Sequence, residues 1–204
     1  MATLADDLAR FIAKVGAGPV HLVAWSFGGE VLTVAMRDPS LICSLILYEP
    51  IAVSVLPPES PEGKAAREER ANMLAPFAAA AEIGDFVQAA KLLREAQFQL
   101  TPGGFERLPQ DWRTTVLDNA RVVPLLRAAP IPPAITCDML KNFAQPTLVM
   151  RGGKTQPFYA LNSTAICNCI PGARQLVLQN VNHDGPQRDP TAFTAAVVEF
   201  LSRG

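Results

Sequence analysis

The hexapeptide AWSFGG at residues 24–29 constrains the fold of this chain more than any other stretch. The apolar run VHLV before it is typical of a strand, and the segment EVLTVAM after it has a helical pattern. A strand that turns directly into a helix around a serine holds that serine in a strained backbone conformation, so the residues two positions away must be small. Ala24 and Gly28 meet this requirement. The motif therefore predicts a sharp strand–turn–helix unit with Ser26 at its apex.

Such a turn presents the serine as a nucleophile. It would lift the Ser26 hydroxyl clear of the sheet and direct the next backbone N–H, that of Phe27, towards the position of an oxyanion. The bulky side chains of Trp25 and Phe27 flank the serine, so we expect them to line a tight, apolar substrate site. A small-x-Ser-x-Gly pattern is common by chance, so the interpretation depends on partners further along the chain.

The chain has only two histidines that could act as a base for this serine. A serine hydroxyl is a weak nucleophile and needs a base that accepts its proton. His21 lies at the start of the strand that leads into the turn, so it cannot easily reach back to Ser26. His183 follows the strand-like run QLVL in a polar loop. We therefore predict His183 as the base.

Three carboxylates are candidates for the acid that would orient this histidine. Glu49 ends the apolar run LICSLILY, and the carboxyl ends of strands are where open α/β sheets collect their site residues. Asp184 is adjacent to His183 in sequence, so its side chain would diverge. Asp138 precedes the apolar run PTLVM, at the wrong end of that strand. We favour Glu49, although it could simply cap the turn that follows it.

Together these motifs resemble the α/β-hydrolase family over nearly the whole chain, in the order serine, acid, histidine. The matching segments are AWSFGG, LILYEP, PTLVMRG at 146–152, and 171–201. The resemblance implies an α/β fold with a mostly parallel sheet flanked by helices, and a helical lid insertion. It also implies an enzyme without a cofactor that cleaves a small, apolar ester or related acyl bond through an acyl-enzyme, with Ser26, Glu49 and His183 as a catalytic triad.

One departure from the family pattern affects the acid. Most members carry it in the loop that here spans 151–156, which contains no carboxylate. An acid at Glu49 instead resembles the haloalkane dehalogenases. Dehalogenation itself is disfavoured, because its carboxylate nucleophile would stand where Ser26 is. A C–C bond hydrolase and a cofactor-free haloperoxidase remain open, since both use the same triad.

The apolar periodicity predicts the other elements. We expect core helices over 4–15, 28–37, 157–169 and 190–202, and strands over 20–25, 43–48, 147–151 and 175–179. We divide the chain into a core segment at 1–50, a helical lid at 51–135 and a second core segment at 136–204. The lid should contain helices over 61–80, 84–98, 112–119 and 122–128 before the proline-containing run 130–133. Trp112 is a candidate to line the substrate pocket, although ordinary helix packing would explain it too.

The resemblance also implies that strands are missing. The family places about four more strands before the helix at 4–15, or roughly 80 residues, and these supply the second oxyanion N–H. We therefore expect a chain truncated at its N-terminus. The alternative function is a catalytically impaired fragment that binds a ligand or partner. The apolar strand at 20–25 would then be an exposed sheet edge and could mediate homo-oligomerisation.

Composition excludes several classes of function. The net charge of −1 and the lack of a basic stretch disfavour nucleic-acid binding. No apolar run approaches the ~20 residues needed to span a membrane. The four cysteines are scattered, and the pair Cys167 and Cys169 lacks the spacing of a typical zinc site. We expect no metal, and reduced thiols in a cytoplasmic protein.

Overall fold

The computed structural model describes residues 2–128 and 134–203, and the chain divides into two compact units. The first contains Met1–Ala66 and Pro132–Gly204, and the second Arg67–Ile131. Residues 51–66, which the sequence assigned to the lid, thus belong to the first unit. The proline-containing run 130–133, predicted to end the lid, lies outside the described residues. That the segment 51–135 covers a site stays a prediction.

The first unit alternates helices and strands, as the apolar pattern predicted. Its N-terminal part contains α1 (Ala2–Val15), β1 (Val20–Trp25), α2 (Val31–Arg37) and β2 (Ile42–Tyr48). Its C-terminal part contains α7 (Cys137–Leu140), β3 (Thr147–Gly152), α8 (Pro157–Cys169), β4 (Arg174–Leu178), α9 (Gly185–Arg188) and α10 (Pro190–Ser202). The main difference concerns the helix predicted at 28–37. A 3₁₀ turn at Ser26–Glu30 precedes its α-helical part, because the chain turns most tightly around the serine.

The second unit is helical. The helix α3 (Pro61–Glu82) runs from the first unit into it, and α4 (Phe86–Gln97), α5 (Gln110–Asp118) and α6 (Val123–Ala128) follow. Small side chains form its buried cluster: Ala80, Ala81, Ala89, Ala90, Ala120 and Val123. Small residues allow helix backbones to approach closely, which explains how short helices can build a core here.

The strands of the described chain form one parallel sheet in the order β1-β2-β3-β4. Trp25 at the end of β1 pairs with Tyr48 at the end of β2, which in turn pairs with Met150 of β3. The carboxyl ends of the strands therefore meet at one edge of the sheet. This confirms the predicted α/β class and brings the residues after each strand close together.

Both faces of the sheet are covered by helices. On one face, Leu45 and Leu47 of β2 belong to a buried cluster that includes residues of α1, α2 and α8. On the other face, Ile46 and Tyr48 pack with Phe200 of α10. Burial on both faces explains why β2 is a nearly continuous apolar run rather than an alternating one.

The expectation that all four thiols are reduced is wrong for one pair. Cys137, the first residue of α7, forms a disulfide with Cys169, the last residue of α8, and their Cα atoms lie 5.0 Å apart. Cys43 and Cys167 are free thiols. The two bonded cysteines are 32 residues apart, so their proximity results from the packing of α7 near α8 and is not visible in the sequence spacing.

Two further features of the described residues bear on the class of protein. None of the helices in the ranges 2–128 and 134–203 is both long and apolar enough to cross a membrane. Within those ranges, no group of three or more histidine, cysteine, aspartate or glutamate residues is arranged to hold a metal ion.

Candidate active site

The turn after β1 holds Ser26 in a strained conformation. Its φ is 56°, in the left-handed region that residues other than glycine rarely adopt, whereas the preceding Trp25 is extended. A Cβ atom on Gly28 would lie 3.4 Å from the Cβ of Ala24, so a methyl group there would already be in van der Waals contact with it. The predicted strand–turn–helix unit with a strained serine is therefore present.

His183 lies beside this serine. Its Nε2 is 2.8 Å from the Ser26 Oγ, which suits a hydrogen bond donated by the hydroxyl. The imidazole is buried, with 2% of the residue exposed. His21, by contrast, has its Nδ1 2.8 Å from Ser44 Oγ at the opposite end of the strands. The structure thus places His183 and not His21 against Ser26.

Glu49 occupies the other side of the imidazole. Its Oε2 lies 2.7 Å from His183 Nδ1, and the carboxylate is fully buried. Two further donors reach it: the Gly152 N–H, 2.8 Å from Oε1, and the Thr155 hydroxyl, 2.9 Å from Oε2. A buried carboxylate needs such donors in place of water. The loop 151–156, which contains no carboxylate, therefore contributes hydrogen-bond donors to Glu49. Sequence analysis missed the contact of Thr155.

The other two carboxylates considered from the sequence lie elsewhere. Asp184 Oδ2 is 2.8 Å from Arg188 Nη2, so the aspartate is paired along α9. Asp138 is exposed and its Oδ1 is 2.5 Å from Lys141 Nζ. That pair of charges lowers the pKa of Asp138, first through the hydrogen bond from Lys141. Each of these carboxylates is thus paired with a basic side chain, whereas the carboxylate against the His183 imidazole is that of Glu49.

Two aromatic side chains at the ends of neighbouring strands anchor the loop that carries His183. The Trp25 indole donates from Nε1 to the carbonyl of His183 over 2.9 Å, and the Tyr48 hydroxyl donates to the carbonyl of Asn182 over 2.5 Å. Gly185 lies so close to the Tyr48 ring that a Cβ atom there would overlap it. Burial raises the pKa of Tyr48, and the negative charges of Glu49 and Asp184 raise it further, so the phenol remains a donor.

The predicted lining residues have different environments. Phe27 is 42% exposed next to Ser26, and the direction of its N–H towards an oxyanion stays a prediction. Trp25 holds the histidine loop, a contact that sequence analysis did not anticipate. Trp112 belongs to the second unit, where its ring packs edge-on against Phe98 at a centroid distance of 6.2 Å. A substrate-lining role for Trp25, Phe27 or Trp112 stays a prediction.

One further aromatic residue, which sequence analysis missed, contacts the imidazole directly. The ring of Tyr159, in the first turn of α8, stacks on His183 with centroids 3.9 Å apart and planes inclined by 14°. Tyr159 follows Gln156-Pro157-Phe158, just after the loop that supplies donors to Glu49. An aromatic residue in the first turn of a helix is no signal of such a contact by itself.

Solved structures share this fold. An enol-lactonase from Burkholderia xenovorans LB400 superposes with a TM-score of 0.71 at 20% identity, covering 98% of this chain and 72% of that one. The carboxylesterase CesB from Bacillus subtilis has a TM-score of 0.67 at 16% identity, with 100% and 67% covered. Est816, described as an N-acyl homoserine lactone degrading enzyme, has a TM-score of 0.62 at 18% identity, with 96% and 73% covered.

Sequence comparison gives the family. No curated protein sequence matches the chain. The profile of the alpha/beta hydrolase family matches residues 1–197, nearly the whole chain. The parallel sheet, with a strained serine after its first strand, agrees with this match. The chain therefore belongs to the alpha/beta hydrolase family.

Proposed function

We propose that this protein is a serine hydrolase that cleaves an ester or related acyl bond with Ser26 as nucleophile, His183 as general base and Glu49 as the orienting acid. The observation that carries this proposal is a continuous chain of contacts. Ser26 Oγ lies 2.8 Å from His183 Nε2, and His183 Nδ1 lies 2.7 Å from Glu49 Oε2. Since the histidine and glutamate are buried, water competes little for these hydrogen bonds.

The proposed reaction follows from these contacts. His183 Nε2 accepts the hydroxyl proton as Ser26 Oγ attacks the acyl carbon, and the carbonyl oxygen becomes an oxyanion near the Phe27 N–H. The imidazolium then protonates the leaving alcohol, and the acyl-enzyme remains. A water molecule then attacks the acyl carbon as His183 accepts its proton. The imidazolium returns that proton to Ser26 Oγ, and the carboxylic acid is released. Throughout, Glu49 holds the tautomer with the proton on Nδ1 and stabilises the positive charge on the ring.

The substrate class we propose is a small, apolar ester or lactone. The exposed ring of Phe27 beside Ser26 offers an apolar surface to an acyl or alcohol group. Two of the solved structures with this fold are described as an enol-lactonase and an N-acyl homoserine lactone degrading enzyme, and one as a carboxylesterase, which supports this class by analogy.

The alternative is a ligand- or partner-binding protein with impaired catalysis. It is favoured by the position of β1, which is an edge strand in the described chain, so no described strand beyond it offers a second N–H to an oxyanion. Loss of one such donor typically lowers turnover by ~10²–10³-fold. The unpaired edge of β1 is also the surface through which we expect copies of the chain to associate.

A cytoplasmic location remains part of the proposal, with one observation against it. The disulfide between Cys137 and Cys169 favours a compartment less reducing than the cytoplasm, where such bonds are rare. Free-thiol counting on protein purified under thiol-blocking conditions tests this point. Two blocked thiols would favour an oxidising location, and four would favour the cytoplasm.

The test of the proposed function is Ser26-dependent turnover. We expect the protein to hydrolyse p-nitrophenyl butyrate and to be labelled by a fluorophosphonate probe, and Ser26→Ala to abolish both. The chain provides a matched control, because His21 and Ser44 are also 2.8 Å apart but belong to the opposite end of the sheet. A Ser44→Ala variant should keep full activity. A folded wild-type protein that neither hydrolyses nor labels would favour the alternative function.

A further inference from the structure

The imidazole of His183 is enclosed on its edges and on one face. Its two ring nitrogens contact Glu49 and Ser26 in the plane of the ring. The Tyr159 ring lies parallel to one face, with centroids 3.9 Å apart and planes inclined by 14°. Tyr159 is 1% exposed and His183 is 2% exposed, so the stacked rings are shielded from water. The imidazole therefore has a nearly solvent-free aromatic partner in addition to its two hydrogen-bond partners.

This contact changes in strength during the proposed reaction. The face of an aromatic ring carries partial negative charge, so it attracts a cation more strongly than a neutral ring. His183 is neutral before Ser26 attacks and becomes an imidazolium as the proton moves to Nε2. An interaction that strengthens as this charge develops stabilises the transition state more than the neutral imidazole before attack. It therefore lowers the activation barrier of the hydrolysis.

We propose that Tyr159 is a positioning residue for the hydrolysis, and that its ring face stabilises the imidazolium of His183 and fixes the plane of the ring. This inference rests on the proposed function. It adds a fourth side chain to Ser26, His183 and Glu49, one that acts on the face of the imidazole while Glu49 acts on its edge. The phenol hydroxyl is not needed for this role, because the ring face carries the interaction.

The first test compares two substitutions. Tyr159→Phe keeps the ring and should retain kcat, whereas Tyr159→Leu keeps an apolar side chain without a π face. For Tyr159→Leu we expect kcat for p-nitrophenyl butyrate to fall about 3- to 30-fold, with KM nearly unchanged. Because the imidazolium is less favourable without the ring, the acid limb of kcat/KM against pH should also move to lower pH. A purely structural role would lower the rate without moving that limb.

A second variant tests the charge effect with the aromatic ring retained. Replacement of Tyr159 by 3,4,5-trifluorophenylalanine withdraws electron density from the ring face, so kcat should fall relative to Tyr159→Phe while the fold is preserved. This variant keeps the proposal testable if Tyr159→Leu does not fold.

The stack also has a spectroscopic signature that does not depend on turnover. The chain has two histidines, so a His21→Asn variant leaves only the imidazole signals of His183 in a proton NMR spectrum. The ring current of Tyr159 should shift these signals upfield. In the same background, Tyr159→Leu should move them downfield and Tyr159→Phe should not.

The outcomes separate this inference from the proposed function. If the wild type is inert towards ester and probe, the proposed function fails and the role of Tyr159 fails with it. If the wild type is active but the leucine and trifluorinated variants keep its kcat and its acid limb, the role of Tyr159 alone is overturned. Lower kcat in both, retained kcat in Tyr159→Phe and a shifted acid limb in Tyr159→Leu support it.

Discussion

At the scale of single residues, the site depends on the hydrogen-bond donors that surround the buried carboxylate of Glu49. Glu49 accepts hydrogen bonds from His183, from the Gly152 N–H and from the Thr155 hydroxyl. Its φ of 43° is strained, like that of Ser26 at the end of the neighbouring strand. Strain at two adjacent strand ends is compatible with folding only when surrounding contacts compensate for it. The donors from the 151–156 loop therefore serve both the stability of the fold and the orientation of the acid.

The Thr155 hydroxyl gives the first prediction. Thr155→Val removes one donor from Glu49 at nearly constant volume, so the carboxylate should be held less firmly against His183. We expect kcat for p-nitrophenyl butyrate to fall about tenfold, because a hydrogen bond to a charged group contributes about 1.5–3 kcal/mol. Thr155→Ser should restore the rate. Glu49→Gln provides the upper reference, with a loss of about 10⁴-fold. Wild-type kcat in Thr155→Val would mean that this bond does not orient the acid.

The candidate site residues that could be predicted from the sequence are those marked by a local pattern along the chain. Ser26 was identified by its small neighbours, Glu49 by its place at the end of an apolar strand, and His183 by elimination. Thr155 and Tyr159 could not be identified, because their roles depend on contacts between residues far apart in sequence. Thr155 lies in the loop 151–156, and the only feature noted for that loop from the sequence is that it contains no carboxylate.

At the scale of elements, the strand β2 positions two parts of the site at once. Glu49 follows it directly, and Tyr48, its last residue, holds the histidine loop through the carbonyl of Asn182. The apolar pattern predicted β2 and β3 well, because burial on both faces demands continuous apolar runs. It could not predict the 3₁₀ turn at Ser26–Glu30, which is a consequence of tight local geometry rather than of periodicity.

The buried phenol of Tyr48 gives a prediction about pH and stability. Burial raises its pKa in the folded protein, whereas in the unfolded chain the group ionises near its ordinary value of 10.0. Above that pH the folded state binds more protons than the unfolded state, so the free energy of unfolding should decrease as pH rises. We expect urea unfolding to show this decrease above about pH 10, and Tyr48→Phe to make it smaller. A decrease of equal size in the variant would assign it to other groups.

At the scale of the whole molecule, a covalent link closes part of the first unit. The disulfide between Cys137 and Cys169 encloses β3, α8 and the loop between them, which carry Gly152, Tyr159 and Thr155. This link could not be predicted from the sequence, because cysteines 32 residues apart have no characteristic spacing. Only this part of the site lies in the loop that the bond restricts in the unfolded chain, because Ser26, Glu49 and His183 lie outside residues 137–169.

Reduction of this disulfide should destabilise the fold. For a loop of 32 residues, the chain-entropy relation gives about 3–4 kcal/mol of stabilisation at 25 °C. We expect the urea midpoint to fall on addition of a reductant, measured by circular dichroism. The double variant Cys137→Ser/Cys169→Ser should have the lower midpoint with or without reductant. If the wild-type midpoint is insensitive to reductant although both thiols become reactive, the bond contributes no net stability.

The unpaired edge of β1 affects how whole molecules behave in solution. Val23, in the middle of this strand, is 49% exposed, and no described strand pairs with β1 on its outer side. An exposed apolar edge offers both backbone hydrogen bonds and apolar surface to a second copy, and charged side chains are the usual protection against such pairing. In β1 the described residues provide no lysine, glutamate or aspartate.

We therefore predict that the protein self-associates through β1 and that Val23→Lys weakens this association. Sedimentation velocity at increasing concentration should show wild-type dimers or larger species and a mainly monomeric variant, because the lysine charge must be desolvated when a second strand docks. Val198→Lys is the matched control, since Val198 is 55% exposed but belongs to the helix α10 and not to the edge strand. Equal association of wild type and Val23→Lys, or a monomeric wild type throughout, would contradict the prediction. Ser26-dependent hydrolysis should also be measured on the monomeric variant. If the partner copy supplies a second oxyanion donor, that donor is lost in the monomer and kcat should fall ~10²–10³-fold. An unchanged kcat would mean that the site works within one chain.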